Sequence, residues 1–221
     1  MTAGAIKVLL VDDHAVVREG YRRLIEKHAG LAVVAEAGDA ATAYLAYKTA
    51  KPDVVVMDIS MPGRGGIDAV RQIKQLDPSA RILMFTMHAS ATYAQQAFRA
   101  GAKGYVTKSS PPQLLIEAVR SVFAGKPALC PEISKVLAVS RLAEEASAIN
   151  DLSPREFEVL RMILEAKSTE TIADAFNLSP KTVANYHYSI KSKLSVATDI
   201  ELVYYCMNHG LVPPLIYDGA T

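Results

Sequence analysis

The feature that constrains this chain most is an alternation, repeated five times within the first 125 residues, of short apolar runs and amphipathic stretches. The runs are residues 6–11, 32–37, 53–57, 81–86 and 104–107, all rich in Val, Ile or Leu or flanked by small residues. They lack the strict polar alternation of a half-exposed strand, so both of their faces must be covered. Residues 16–28, 40–49, 66–75, 93–100 and 112–123 read as the intervening helices. Turn signals separate them, among them Lys51-Pro52-Asp53, Asp77-Pro78-Ser79 and Gly101-Ala102-Lys103-Gly104. Strands joined through helices in this way run parallel with right-handed crossovers, which predicts a doubly wound α/β sheet of five strands.

The pattern changes after Gly125-Lys126-Pro127. Residues 131–148, with Pro131 at a plausible first helical position and apolar Ile133, Val136, Leu137 and Leu142, read as a linker helix. From Asp151 the chain is helical throughout. Ser153-Pro154-Arg155-Glu156 is a capping box, in which Ser bonds the free N–H groups and Glu reaches back. Ser168 opens a second helix, Ser179-Pro180 caps a third running to about Leu194, and residues 198–208 make a fourth. Short helices with such tight connections read as a helix-turn-helix unit.

A chain of 221 residues fits two domains, each able to bury a core. The net charge of +1 hints at no polyanionic partner, but the distribution is informative. From Asn150 onward six Lys or Arg face nine Asp or Glu, a net −3, yet residues 179–194 hold Lys181, Lys191 and Lys193 and no acid. The third helix is therefore basic within an acidic module. Cys130 and Cys206 lie far apart without a CxxC pattern, so they read as free thiols. No apolar run approaches about 18 residues and no leader pattern opens the chain, so no signal peptide, no membrane and a cytoplasmic location are expected.

Asp12 and Asp13 end the first run, Asp58 the third and Thr86 the fourth, while Lys108 follows the fifth. In an open α/β sheet these ends converge on one crevice. Three carboxylates there repel one another; a hard divalent cation, Mg²⁺, neutralises them while keeping some of its water. One carboxylate then serves as a nucleophile toward phosphorus, with Lys108 and Thr86 stabilising the charged oxygens. Each residue alone has a plainer reading as a helix cap, a turn former or an ion-pair partner. Five polar residues at four strand ends of an apolar sheet carry the inference.

Across residues 6–124 the motifs Val11-Asp12-Asp13-His14, Met57-Asp58-Ile59-Ser60-Met61-Pro62-Gly63, Thr86 and Lys103-Gly104-Tyr105-Val106-Thr107-Lys108 resemble the receiver domain of two-component response regulators. The resemblance implies a flavodoxin-like five-stranded parallel sheet with Asp58 as phosphoacceptor. It implies Mg²⁺ held by Asp13, Asp58 and the backbone carbonyl of Ser60, with Asp12 acting through a metal-bound water. Thr86 and Tyr105 would form a switch pair, the hydroxyl moving toward the phosphoryl group and the ring turning inward. A plain core aromatic is the other reading of Tyr105. Met87 stands where many receivers carry Ala or Gly, and its longer side chain would modify access to Asp58.

Leu152 to Leu160, Ile172-Ala173, Leu178 to Val183 and Lys193-Leu194 resemble the LuxR-type helix-turn-helix, and the whole chain resembles NarL/FixJ-type response regulators. That implies a receiver over 1–125, a partly helical linker over 126–149, an all-α DNA-binding domain of four helices over 150–215 and a tail over 216–221. Helix 180–194 would enter the major groove with Lys181, Thr182, Asn185, Tyr186, Tyr188, Lys191 and Lys193. Tyr204 and Tyr205 of the fourth helix read first as core residues, while the resemblance implies that this helix dimerises through them. The implied partners are a sensor histidine kinase, double-stranded promoter DNA and a second copy of the chain once phosphorylated. The sequence departs from the family at Ala184, where Lys or Arg is common, and at Tyr186, where His is. Ala166 and Ser195 replace helix-end glycines, at a cost of roughly 1 kcal/mol each if the backbone there is left-handed. Two other classes compete: an output domain that binds protein, and a phosphatase using an Asp nucleophile. The phosphatase needs a second Asp where Ser60 stands, so a dedicated enzyme is not expected.

Overall fold

In the computed structural model, which describes residues 4–142 and 148–212 (of Arg141 and Leu142 the backbone alone), the apolar runs become strands. The order is β1 (Ile6–Val11), α1 (Ala15–Glu26), β2 (Leu31–Ala37), α2 (Ala40–Ala50), β3 (Val54–Met57), α3 (Gly65–Leu76), β4 (Ile82–Thr86), α4 (Ala91–Ala100), β5 (Gly104–Thr107) and α5 (Pro112–Phe123). β6 (Ala128–Leu129) and α6 (Pro131–Leu142) follow. The sheet is parallel throughout, in the order β2-β1-β3-β4-β5-β6. β3, β4 and β5 are buried along their whole length, because helices cover both faces, whereas β2 lies at an edge and is partly exposed. The strand order reverses between β1 and β3, so the loops after those two strands diverge and open a crevice at their carboxyl ends.

The sheet has six strands, not the expected five. Gly125, at φ 76°, turns the chain out of α5, and Lys126 N–H closes the helix end on the Ser121 carbonyl at 2.9 Å. Pro127 then leads Ala128 and Leu129 alongside Gly104 and Tyr105. Two residues are too few to show a periodicity, so composition could not announce this strand. The helix expected over 131–148 spans Pro131–Leu142, and residues 143–147 lie outside the described part. Contacts divide the chain into Met1–Glu144 and Glu145–Thr221, which puts α6 with the sheet. Ile133 is fully buried, and Gln95 of α4 donates to Ser140 Oγ at 3.4 Å.

In the second unit a 3₁₀ turn, Ala148–Asp151, leads into α7 (Pro154–Leu164), α8 (Thr169–Phe176), α9 (Pro180–Lys193) and α10 (Asp199–Asn208). The capping box forms as expected: Glu156 N–H donates to Ser153 Oγ at 3.2 Å, and Ser153 N–H to Glu156 Oε2 at 2.8 Å. Ser168, Ser179 and Thr198 cap the next three helices through their hydroxyls, each satisfying an N–H that the helix leaves free. α7, α8 and α9 end on left-handed residues, Ala166, Asn177 and Ser195. The N–H just after each left-handed residue doubles back: Lys167 to Met162, Leu178 to Ala173 and Val196 to Lys191. Phe157, Leu160, Ile172, Phe176, Val183, Ile190, Leu202 and Cys206 close the core. The expected tail, 216–221, lies outside the described residues.

Candidate functional site

Asp12, Asp58, Thr86 and Lys108 meet at the carboxyl ends of β1, β3, β4 and β5. Lys108 Nζ donates to Asp12 Oδ2 at 2.6 Å and to Asp58 Oδ2 at 2.7 Å. The two carboxylates are 2% and 4% exposed, so one ammonium compensates a buried pair of like charges. Burial pulls the ammonium toward neutrality, but its hydrogen bonds to Asp12 and Asp58 outweigh that and hold its pKa above the ordinary value. The remaining oxygens are fixed locally: Asp12 Oδ1 accepts from His14 N–H at 2.9 Å and Asp58 Oδ1 from Ile59 N–H at 2.7 Å. Arg18 of α1 donates to the Asp12 carbonyl at 2.5 Å, anchoring the end of β1. Gly66 lets the start of α3 lie against the Asp58 backbone, since a Cβ there would stand 1.8 Å from the Asp58 carbonyl oxygen.

Asp13 is placed differently from its neighbours. Its Oδ1 is buried without a hydrogen-bond partner; the His14 ring nitrogen lies 2.8 Å away but off the line a hydrogen bond requires. Donor atoms of Asp12, Asp13 and His14 lie within 4.8 Å of one another. A buried carboxylate oxygen that makes no hydrogen bond is the environment a cation relieves, and the oxygen-rich set suits a hard divalent ion better than a soft one. The residues present therefore fit Mg²⁺.

Thr86 and Tyr105 are both fully buried. The Tyr105 ring already points inward, and its hydroxyl donates to the His88 carbonyl at 2.8 Å. Burial pushes this phenol well above its ordinary pKa, so it remains a donor. His88 N–H reaches Thr86 Oγ1 at 3.4 Å, its Nε2 meets Ser60 Oγ at 2.7 Å, and its ring stacks on Tyr93 at 4.0 Å. This histidine joins the loop after β3, both residues of the expected switch pair and α4. Met87 is 69% exposed at the rim of the same loop.

On α9, Lys181, Ala184, Asn185, Tyr188 and Ser192 form an exposed stripe at helical spacing, opposite buried Val183 and Ile190. Thr182 and Tyr186 flank it, half-buried, and the Thr182 hydroxyl meets Ser179 Oγ at 2.9 Å. Lys191 and Lys193 differ from the expectation of a freely basic helix. Lys193 donates to Glu156 Oε2 of α7 at 2.7 Å, and Lys191 to Asp199 Oδ1 of α10 at 2.9 Å. Lys181 is exposed and makes no ion pair among the described residues. On α10, Tyr204 is 63% exposed beside Ile200 and Val203, whereas Tyr205 stacks on His209 at 4.2 Å.

Residues 8–120 match the response regulator receiver domain, over half of the chain. The chain is a response regulator. Residues 150–206 match the bacterial regulatory proteins of the luxR family, so it carries a receiver domain and a LuxR-type DNA-binding domain. It is 39% identical over 208 residues to the response regulator UvrY of Escherichia coli, covering 93% of this chain and 95% of that one. It is 37% identical over 209 residues to the response regulator GacA of Pseudomonas aeruginosa, covering 94% and 98%. Among solved structures it resembles RcsB of Salmonella enterica serovar Typhimurium bound to promoter P1flhDC in the presence of phosphomimetic BeF₃⁻, with TM-score 0.74 and 28% identity over 93% of this chain and all of that one. The regulator is thus a transcription factor of the NarL/FixJ type and not a dedicated enzyme.

Sequence reasoning about this regulator missed His88 and Arg18. His88 lies 28 residues from Ser60 and 17 from Tyr105 in the chain, and nothing in its neighbourhood names those partners. Arg18 carries a weak signal: it lies five residues after Asp13, in the first turn of the helix that follows the Asp pair, close enough to reach back to the strand end.

Proposed function

We propose that this regulator is switched by phosphorylation of Asp58 and answers by binding promoter DNA as a dimer through α9. The observation that carries the reading is the Lys108 bridge between Asp12 and Asp58, at 2.6 and 2.7 Å, at the switch point of the sheet. A sensor histidine kinase supplies the phosphoryl group. An Asp58 oxygen displaces the donor nitrogen at phosphorus, so an O–P bond forms as the N–P bond breaks. Lys108 leaves Asp58 Oδ2 for a phosphoryl oxygen while keeping Asp12. The Thr86 hydroxyl turns toward another, away from the long bond it accepts from His88. Asp13, Asp58 and the Ser60 carbonyl, with Asp12 assisting, are the residues that would hold Mg²⁺, and a cation bound there would supply positive charge beside the transferring group.

RcsB was solved on promoter DNA, and the same arrangement is the natural use of the exposed stripe Lys181, Asn185 and Tyr188. Asn reads adenine edges and Tyr donates to phosphates. Thr182, Tyr186, Lys191 and Lys193 complete the contacts. The apolar face around Tyr204 pairs two DNA-binding domains, with Tyr205 at its border, and a two-fold dimer calls for inverted half-sites. Among the described residues no helix is long and apolar enough to cross a membrane, and the regulator acts in the cytoplasm, where promoter DNA is.

The test is phosphoryl incorporation from acetyl phosphate into the full chain with Mg²⁺, read by intact mass. Wild type should take up one acid-labile phosphoryl group, an uptake prevented by prior chelation of the metal and absent in Asp58→Ala. Equal uptake by Asp58→Ala would sink the assignment.

A further inference from the structure

The three lysines of α9 are not equivalent. Lys181 stands exposed at its first turn. Lys193 bonds Glu156, which also caps α7 and accepts from Ser189 Oγ at 3.1 Å, so that carboxylate belongs to the fold. Lys191 bonds Asp199 Oδ1 at 2.9 Å, and His187, one helical turn earlier, places Nε2 3.0 Å from the same oxygen. One oxygen of Asp199 thus faces two basic groups stacked on one side of the DNA-binding helix.

Asp199 stands in the first turn of α10, where its charge suits the helix N-terminus, but no hydrogen bond of the helix end depends on its carboxylate. The N-terminus of α10 is capped by Thr198, and Glu201 accepts from Ala197 N–H at 2.8 Å, so Asp199 caps nothing. Its side chain is 64% exposed, and an exposed ion pair adds little to stability. The hydrogen bond from Lys191 holds its carboxyl below the usual carboxylate range, so it stays ionised at neutral pH. An anionic oxygen between a lysine and a histidine of a DNA-binding helix stands in the chemical environment that a backbone phosphate seeks.

We propose that Asp199 is a built-in counter-ion of the DNA-binding helix, holding Lys191 and His187 in the place of a DNA phosphate and lowering the affinity of a single domain for DNA. The inference rests on the DNA-binding reading above. It explains how a helix with three lysines serves a domain whose binding is meant to depend on pairing. Among the described residues, α9 of one module has a single lysine without an ion pair, Lys181; two modules on one DNA double the contacts while each displaces its own carboxylate.

The experiment uses the full chain and a fluorescein-labelled duplex of about 30 base pairs of random sequence, because non-specific binding isolates the phosphate contribution. Anisotropy titrations run at several salt concentrations for wild type, Asp199→Asn, Lys191→Ala and the double variant. Asp199→Asn should bind about fivefold more tightly at low salt, the worth of one unit charge at contact distance in water. Its plot of log K against log salt should steepen by about 0.9, one more phosphate neutralised, so the gain shrinks about 3.5-fold between 50 and 200 mM salt. In the Lys191→Ala background the same substitution should lose more than half of its effect. Salt-dependent binding by wild type that Asp199→Asn leaves unchanged in strength and slope would overturn the counter-ion while leaving the DNA reading intact. An equal gain with and without Lys191 would overturn it too, by reducing Asp199 to bulk charge. Absence of salt-dependent binding by every protein would remove the DNA reading itself, and the counter-ion with it.

Discussion

The same chemical change, Gly to Ala, should have opposite effects at two positions of the receiver. At Gly66 an added Cβ would lie 1.8 Å from the Asp58 carbonyl oxygen, 2.8 Å from its carbon and 2.9 Å from Ile59 Cα. All three are backbone atoms, so no side chain can swing aside. Relief needs a movement of more than about 1 Å in the loop after β3 or in the start of α3, which Gly66 N–H ties to the Ile59 carbonyl at 2.9 Å. Overpacking of this kind costs roughly 1–3 kcal/mol, and more where backbone must move. It also shifts Asp58 away from Lys108, and a misplacement of about 1 Å costs on the order of 100-fold in rate. Gly20 lies exposed within α1, at ordinary φ, with nothing within 4 Å of the added atom. There Ala should stabilise by about 0.5–1 kcal/mol, through helix propensity, and leave phosphorylation unchanged. Urea unfolding and acetyl phosphate kinetics on both variants supply the comparison. A Gly66→Ala protein with wild-type stability and rate would refute the claim that this glycine exists for the approach of α3 to Asp58.

The left-handed helix ends make a second prediction: Ala166→Gly (φ 55°) and Ser195→Gly (φ 56°) should each raise unfolding free energy by about 1 kcal/mol, and by their sum together, in chemical denaturation. Replacing Lys108 by Ala leaves Asp12 and Asp58 buried without their cation, so stability should fall by roughly 3 kcal/mol without metal and recover partly in millimolar Mg²⁺; a melt insensitive to Mg²⁺ would count against the metal site. Burial works to raise the pKa of Glu156, but Lys193 and Ser153 outweigh it and hold it below the usual carboxylate range. A depressed carboxyl contributes stability that is present above that range and lost as the pH falls through and below it. Glu156→Gln should therefore unfold more easily at neutral pH and show a flatter loss of stability on acidification.

The acidic pocket was legible because its members stand at strand ends, and strand ends can be read from apolar runs and turns alone. The helix starts were legible for a similar reason: Ser153, Ser168, Ser179 and Thr198 each bond the N–H three residues on, a local rule. What escaped depends on distant partners. β6 exists because Tyr105 and Gly104 offer it an edge, not because Ala128 and Leu129 favour extension. The acid-free run 179–194 read as a basic face, yet the fold brings Glu156 from α7 and Asp199 from α10 to two of its lysines. The inward position of Tyr105 likewise follows from the His88 carbonyl, which no spacing within the chain reveals.

The central claim is that a phosphoryl group on Asp58 controls DNA binding by α9. The direct measurement is selection of genomic DNA fragments by the purified full chain, with and without acetyl phosphate and Mg²⁺, followed by sequencing of what is retained. The account predicts a discrete set of fragments carrying inverted half-sites, enriched by phosphorylated wild type and lost in Asp58→Ala under the same conditions. Retention of the same fragments, to the same extent, by wild type and Asp58→Ala with or without the phosphodonor would contradict it.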